Sequence, residues 1–418
     1  MRVCVLVSAF CVLTSVGVAG MSGTYTIKSD GTGDFLDFQS AAHALADSGM
    51  SGDCVFEAYT GSYPYGVGLG NVPGNDSWSI TFRAAAGEHP VVAGDAFNCE
   101  SLNRLALEDL TFEYAWPSFG SCRDCRITNC RFTPIGDFVF QHCSLFVITG
   151  NVVRSLCETY GMLLEDCPDF TVANNFLAIT TPGAGGGALN GYVAPRLKLY
   201  FNTLWCPSVD AAGVGCLYLE GGGDVRNNVF HLARGCDTLS SCITALIDSG
   251  STFEFDYNCF YVESAGFVGH VPDTFVDFAG WQSLGYDPHG RYGDPLFVDT
   301  SDLHLRQGSP CIGAGVPIPG FEYDIDGDPR DPMHPDIGAD EFTGGAVEQT
   351  PNAGVRVANG GSTILSGASG VGRLASCVVF DAMGRRALDT KSGVYFVREA
   401  QAQAQAQAQA VRKVVVSK

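Results

Sequence analysis

The chain is short of charge, and shortest of positive charge. Charged residues make up 17% of its 418 positions, with 24 Lys and Arg against 45 Asp and Glu, a formal net charge of −21. Nucleic acid and anionic membrane surfaces select for basic faces, so this balance argues against both as partners. Amphipathic stretches of helical period are scarce. With 52 glycines and 46% apolar residues, that scarcity points to an all-β solenoid or sandwich rather than a helix bundle. After the first twenty residues no segment is apolar for long enough to span a membrane. Histidines such as His43, His89, His142 and His231 stand singly. One CxxC occurs, Cys122-Arg-Asp-Cys125, but no second CxxC or His pair completes a zinc site, and no βαβ pattern surrounds it.

What is present begins with a segment that reads as a signal peptide, residues 1–19. Arg2 supplies the positive start, Val3 to Val18 the apolar run, and Gly17-Val18-Ala19 the small residues of a cleavage site. A secreted or outer cell-surface location is expected, with no transmembrane anchor in the mature chain. Two of the 17 cysteines, Cys4 and Cys11, fall in this segment. The odd number left over requires at least one thiol that is free, buried or intermolecular.

Residues 102–266 carry an irregular repeat. Its anchors are Leu110, Cys130, Asn151, Asn175, Asn202, Asn228 and Asn258, spaced 20 to 30 residues apart. Five positions before each anchor stand Leu105, Cys125, Phe146, Phe170, Leu197, Gly223 and Phe253. Three before stand Leu107, Ile127, Ile148, Val172, Leu199, Val225 and Phe255. Two after stand Phe112, Phe132, Val153, Leu177, Leu204, Phe230 and Phe260. The positions between are mostly polar or small. This is period-2 alternation kept in one register over seven units, which predicts stacked coils burying one apolar column. Asn at the anchor suits a left-handed corner, and its amide can bond the Asn of the next coil. Cys122, Cys143 and Cys167 form a further column, expected as a stacked thiol ladder that leaves room for one disulfide. The fold expected is an all-β, right-handed parallel β-helix over residues 24–342.

The two ends carry resemblances. Tyr25-Thr-Ile-Lys-Ser-Asp-Gly-Thr-Gly-Asp34, the short helix expected at Phe38-Gln-Ser-Ala-Ala-His-Ala-Leu45, and Cys54-Val-Phe-Glu-Ala-Tyr59 resemble the start of pectin-lyase-like β-helix proteins, which include pectin esterases. The helix would cap the open end of the apolar column. Asp294-Pro-Leu-Phe-Val-Asp299, Gly308-Ser-Pro-Cys-Ile312, Asp324-Ile-Asp-Gly-Asp-Pro-Arg330 and Asp336-Ile-Gly-Ala-Asp-Glu341 resemble the closing coils of bacterial surface β-helix proteins. Residues 346–418 resemble a sorting module of type IX secretion, a small β-sandwich, in Val378-Val-Phe-Asp-Ala-Met-Gly-Arg-Arg386, Gly393-Val-Tyr-Phe-Val-Arg398 and the basic end at Lys418. An Ala/Gln run over residues 400–410 interrupts the module.

The outward columns hold the candidate ligand residues. Lys198, Asp224 and Glu254 fall in one line, and Tyr200, Arg226 and Asp256 in the next. A Tyr ring can stack on a sugar, and Arg with carboxylates can grip hydroxyls or a uronate. The same charges would otherwise form a ladder of surface ion pairs. Asp324, Asp326 and Asp328 alternate around Gly327 with the hard oxygen donors that suit calcium, but the distal Glu of a twelve-residue loop is missing. Gly136-Asp-Phe-Val-Phe140 resembles the segment that holds a catalytic Asp in pectin methylesterases. That family's Gln-Ala, Gln-Asp and Arg-Pro-Trp elements are absent, so no catalytic residue is assigned to Asp137. The expected function is a secreted or cell-surface β-helix that binds glycan, adheres or is structural. The alternative is a polysaccharide lyase or carbohydrate esterase acting on acidic polysaccharide.

Because the β-helix has its own apolar column, deleting residues 346–418 is expected to leave its thermal melting unchanged while export or surface retention fails. Normal surface retention of the truncated chain would remove the sorting reading.

Overall fold

The computed structural model describes residues 20–344, apart from 65, 95, 156–159, 180–186, 207–214, 234–238, 247–250, 264–265 and 273, together with five strands beyond residue 355. The expected signal peptide and the Ala/Gln run lie outside the described residues. The chain divides into two units, Met1–Thr343 and Gly344–Lys418. The first is a parallel β-solenoid of three sheets, each with ten strands. Sheet A runs from Met21–Ile27 to Phe253–Asp256, sheet B from Gly61–Tyr63 to Arg291–Tyr292, and sheet C from Val67–Gly70 to Phe267–Val271 with Thr274–Val276 turned back on it. Each coil passes A, B, C in turn, and neighbouring coils pair in parallel.

The expected register holds. Leu199 pairs with Val172 and Val225 on sheet A, and Leu204 with Leu177 and Phe230 on sheet B. All six are fully buried or nearly so. Aromatic residues stack rung on rung inside, as in Phe112 over Phe132 with ring centroids 4.7 Å apart and Phe146 over Phe170 at 5.2 Å.

The corner between sheets A and B is held by the Asn anchors. The side-chain oxygen of Asn202 accepts from the amide N–H and the side chain of Asn175, at 3.1 and 2.9 Å. The Asn202 side-chain amide donates to Val172, to Tyr200 and to Asn228. The pattern repeats from Asn151 to Asn258. One detail differs from the sequence expectation. The left-handed residue of each corner is the one before the anchor: Asn129, Asn174, Phe201, Asn227 and Tyr257 all have φ between 52° and 58°. The anchor itself turns inward, because only there can its amide reach the coils on both sides. Cys122, Cys143 and Cys167 form the expected inward column at the corner between sheets C and A. Each is a free thiol that donates to a carbonyl of the coil before it and to one of its own coil.

Both ends of the column are covered. Helix α1 (Phe38–Ser48) starts at a capping box of Asp37 and Ser40 and buries Phe38, Ala41, Ala42 and Leu45. Helix α2 (Phe278–Ser283) drives Trp281 into the opposite end.

Residues 294–342 do not continue the solenoid, contrary to the resemblance to closing coils. They contain one antiparallel pair, Phe297–Asp299 with Asp302–Leu305, and otherwise extended and turn segments. This strap lies along the outside of sheet B and the A/B corner. Phe297, Leu303, Leu305, Cys311, Ile337 and Ala339 pack against the outward Phe176, Ala178, Trp205, Val229 and Cys259. Coils would expose that apolar face, whereas a strap buries it. The second unit is one five-stranded sheet of Arg356–Val357, Ser362–Ser366, Val411–Ser417, Gly393–Glu399 and Cys377–Asp381 in that order, with one parallel pair.

Asn202→Ala should lower unfolding free energy by about 3 kcal/mol, since it leaves buried donors and acceptors of two coils unmet. Urea unfolding measures this, and a loss under about 1 kcal/mol would show that the ladder is not cooperative. Val172→Asp should yield no soluble folded protein, because it buries an unpaired charge. Wild-type melting of that variant would disprove the register.

Candidate functional site

The three outward faces differ in what covers them. That of sheet B lies under the strap over its later coils. A cleft of about 370 Å³ remains at the strap's edge, lined by Trp205, His231, Glu263, Asp294 and Arg306. His231, read from sequence as solitary, places Nε2 2.8 Å from Glu263, and burial, outweighing that carboxylate, holds its pKa below the ordinary histidine value.

Sheet A carries the predicted ladder in the predicted lines. Lys198, Asp224 and Glu254 are neighbours across strands, as are Tyr200, Arg226 and Asp256. Two adjoining clefts run along it. One, of about 540 Å³, is lined by Arg196, Lys198, Asp224 and Glu254. The other, of about 390 Å³, is lined by Arg226, Glu254, Asp256, Tyr257 and Tyr286. Most of the charge there is paired. Arg226 meets Asp224 at 2.6 Å and Glu254 at 2.9 Å, Asp256 meets His289 at 2.8 Å, and Arg196 meets Asp169 at 2.6 Å. Lys198 has no ion pair among the described residues. Tyr200 is not the open stacking surface its column position promised. It is 7% exposed beneath Phe321 of the strap, and its hydroxyl donates to Asp224 at 2.6 Å. No sequence pattern announces Phe321 as its cover.

Sheet C has a different character. Its outward columns hold Asn98, Ser118, Val139, Leu163, Asn190, Tyr218 and Thr244 in one line, and Glu100, Gln141, Glu165, Tyr192 and Glu220 in the next. The half-buried rings of Tyr192 and Tyr218 lie 4.6 Å apart, and the Tyr160 hydroxyl is 3.5 Å from that of Tyr192. The Tyr218 hydroxyl donates to Glu220 at 2.5 Å. Asn190, in the column of Tyr218, is 2% exposed, and its side-chain oxygen has no hydrogen-bond partner among the described residues. The row continues toward the N-terminal coils. The Tyr160 N–H donates to Asp137 at 3.2 Å, and the Trp116 ring, 52% exposed, lies flat on Gly136. A side chain at Gly136 would collide with that ring. Trp116, Tyr160, Tyr192 and Tyr218 therefore mark a track over five successive coils, about 19 Å at the spacing of parallel strands. Sequence reading missed it because the rings stand at different offsets in their coils.

The aspartates of the calcium expectation serve different ends. Asp324 turns both carboxylate oxygens to backbone N–H groups, those of Asp326, Asp328 and Glu341. Asp326 instead joins His304 and Asp340, the one group among the described residues able to surround a metal ion. His304 bridges Asp302 through Nδ1 and Asp326 through Nε2, the latter at 2.6 Å. Those carboxylates, Asp326 foremost, raise its pKa to about 9, so it is an imidazolium at neutral pH. Arg330 is buried, pairs with Glu341 at 3.3 Å, bonds Asn174, and stacks over Phe201.

Among the described residues no helix is long and apolar enough to cross a membrane. No protein-family model matches the chain, and no curated protein matches it in sequence.

The raised pKa of His304 has a direct consequence for stability. Its contribution is complete below the ordinary histidine value of 6.5 and is lost as pH rises through about 9. Burial raises the carboxyls of Asp287, Asp336 and Asp340 from 3.8 to about 6, so their contribution is present below about 4 and is lost as pH rises through about 6, before the histidine window begins. The melting temperature should therefore fall between pH 6.5 and 9 in wild type and stay flatter in His304→Gln. Parallel curves for the two proteins would show that the imidazolium bridge carries no stability.

Proposed function

We propose that the protein is a secreted or cell-surface β-helix that binds glycan chains along the outward face of sheet C. The observation that carries this reading is the cluster of Tyr160, Tyr192 and Tyr218, whose successive ring centroids lie 6.2 and 4.6 Å apart on this face. Aromatic faces bind the C–H surfaces of sugars at low entropic cost, and phenol hydroxyls can hydrogen-bond those of a sugar. Glu165 and Glu220 beside the rings favour neutral or amino sugars over uronates by charge. The resemblance of residues 24–92 to pectin-lyase-like proteins, and of residues 346–418 to a sorting module, agrees with an exported carbohydrate-facing protein.

The second reading is a carbohydrate esterase. It is favoured by Asp137, which lies in the coil between those of Trp116 and Tyr160 and accepts from the Tyr160 N–H. An esterase or lyase needs a convergent acid, base and anion-stabilising group, and Asp137 is the one such element on this face with a motif behind it.

Tyr192→Ala with Tyr218→Ala should weaken binding to neutral oligosaccharides by roughly tenfold or more, with melting nearly unchanged. Lys198→Ala with Arg226→Ala should leave that binding intact. Calorimetric titration of the three proteins decides. Loss confined to the Lys198/Arg226 variant would move the site to sheet A, and ester or chain cleavage abolished by Asp137→Asn would establish the enzyme.

A further inference from the structure

The strap meets the solenoid at a pair of cysteines. Cys259 opens the sheet B strand Cys259–Val262, and its side chain points outward to the strap. Cys311 lies in the turn Gly308-Ser-Pro-Cys-Ile312 of the strap. Both are fully buried in one apolar cluster with Val229, Leu303, Ile337 and Ala339. Gly293 locates the two against each other. Its carbonyl accepts from the Cys259 thiol at 3.8 Å, and a Cβ placed on it would lie 3.4 Å from the ring of Pro310, the residue before Cys311.

Both backbones are held in place. The Cys259 N–H donates to Asn228 at 2.8 Å, beside the Asn ladder. The Cys311 carbonyl accepts from Ile337 at 3.0 Å, and its N–H donates to the Ser309 hydroxyl. The pair differs from the thiol ladder of Cys122, Cys143 and Cys167. Those thiols each donate to carbonyls within successive coils, whereas Cys311 donates to no carbonyl among the described residues.

We propose that Cys259 and Cys311 form a disulfide that staples the strap to sheet B. The step is thiol–disulfide exchange. The two thiols lose two protons and two electrons to an oxidised thiol oxidoreductase or a small-molecule disulfide, which leaves as two thiols. The neighbouring Cys311, and then burial, hold the Cys259 thiol well above its ordinary pKa. A buried thiol of that kind is a poor nucleophile, so exchange with the oxidant takes place while the strap is open to solvent and closure keeps the bond. The inference is independent of the glycan reading.

The test uses the full chain refolded in a reduced and oxidised glutathione buffer, then unfolded with an alkylating agent and no reductant, and digested. A linked peptide pair containing Cys259 and Cys311, two hydrogens lighter than the reduced peptides together, is expected. In Cys311→Ser, Cys259 should be alkylated. Limited proteolysis within residues 294–342 should become faster than in wild type, and reductant should bring wild type to the same rate. Alkylation of both residues in wild type would overturn the proposal, as would pairing of Cys259 with Cys242 or another thiol.

Discussion

The solenoid depends on the hydrogen bonds of a buried side-chain amide at each corner between sheets A and B. A parallel coil must turn sharply there, and the turn removes backbone groups from the sheet ladders. Burying those groups unmet would cost about 1–3 kcal/mol each. Asn carries both a donor and an acceptor, so one residue type can meet the coil before it and the coil after it. The last rung has no following coil to serve, and Asp287 stands there. Its carboxylate accepts from the Asn258 N–H and side chain and from the Trp281 indole. An acceptor-only group is what the end of the ladder requires. Trp281, which supplies the final donor, is also the plug of the apolar column.

The strap follows from a different constraint. Strands such as Phe176–Ile179, Val229–Leu232 and Cys259–Val262 are apolar on both faces, so an uncovered sheet B would present a continuous apolar strip. Residues 294–342 cover it and are held by groups the solenoid leaves ready. Asn227 exchanges bonds with Val316 through both side-chain atoms, and Asn174 bonds Tyr323 and Arg330. Arg330 is desolvated but keeps Glu341, two carbonyls and the face of Phe201. A charge so deeply buried is held only where partners such as these offset its lost hydration. Much of the acidity of the closing segment is thus structural, with Asp324 and Asp336 folding the strap by accepting backbone N–H bonds.

With sheet B covered over its later coils and most charges of sheet A paired, the outward face of sheet C presents partly exposed aromatic rings among the described residues. The chemistry of the surface is therefore set by what packs on each sheet as much as by the side chains a sheet presents. Tyr200 and Tyr192 illustrate this. Both project outward from a strand, yet one lies under Phe321 and the other remains half exposed.

The alternation around Leu199, Val172 and Val225, and the Asn column from Asn151 to Asn258, determined the stacked coils, their register and the residues that face inward. That much was legible because parallel strands one rung apart repeat one environment, so a column in the sequence is a column in space. The alignment of Lys198, Asp224 and Glu254 in one line across adjacent strands was legible for the same reason. The tertiary structure alone decided that residues 294–342 leave the solenoid and that Tyr200 is covered. It also decided that His231 meets Glu263 and that Tyr160, Tyr192 and Tyr218 converge. These contacts join elements of unlike register or distant position, where no period links the partners. Sheet B held one readable hint, since Val229-Phe-His-Leu232 lacks the alternation of a strand with one wet face. It signalled that something covers the sheet, but which segment would do so depended on the path of the chain in three dimensions.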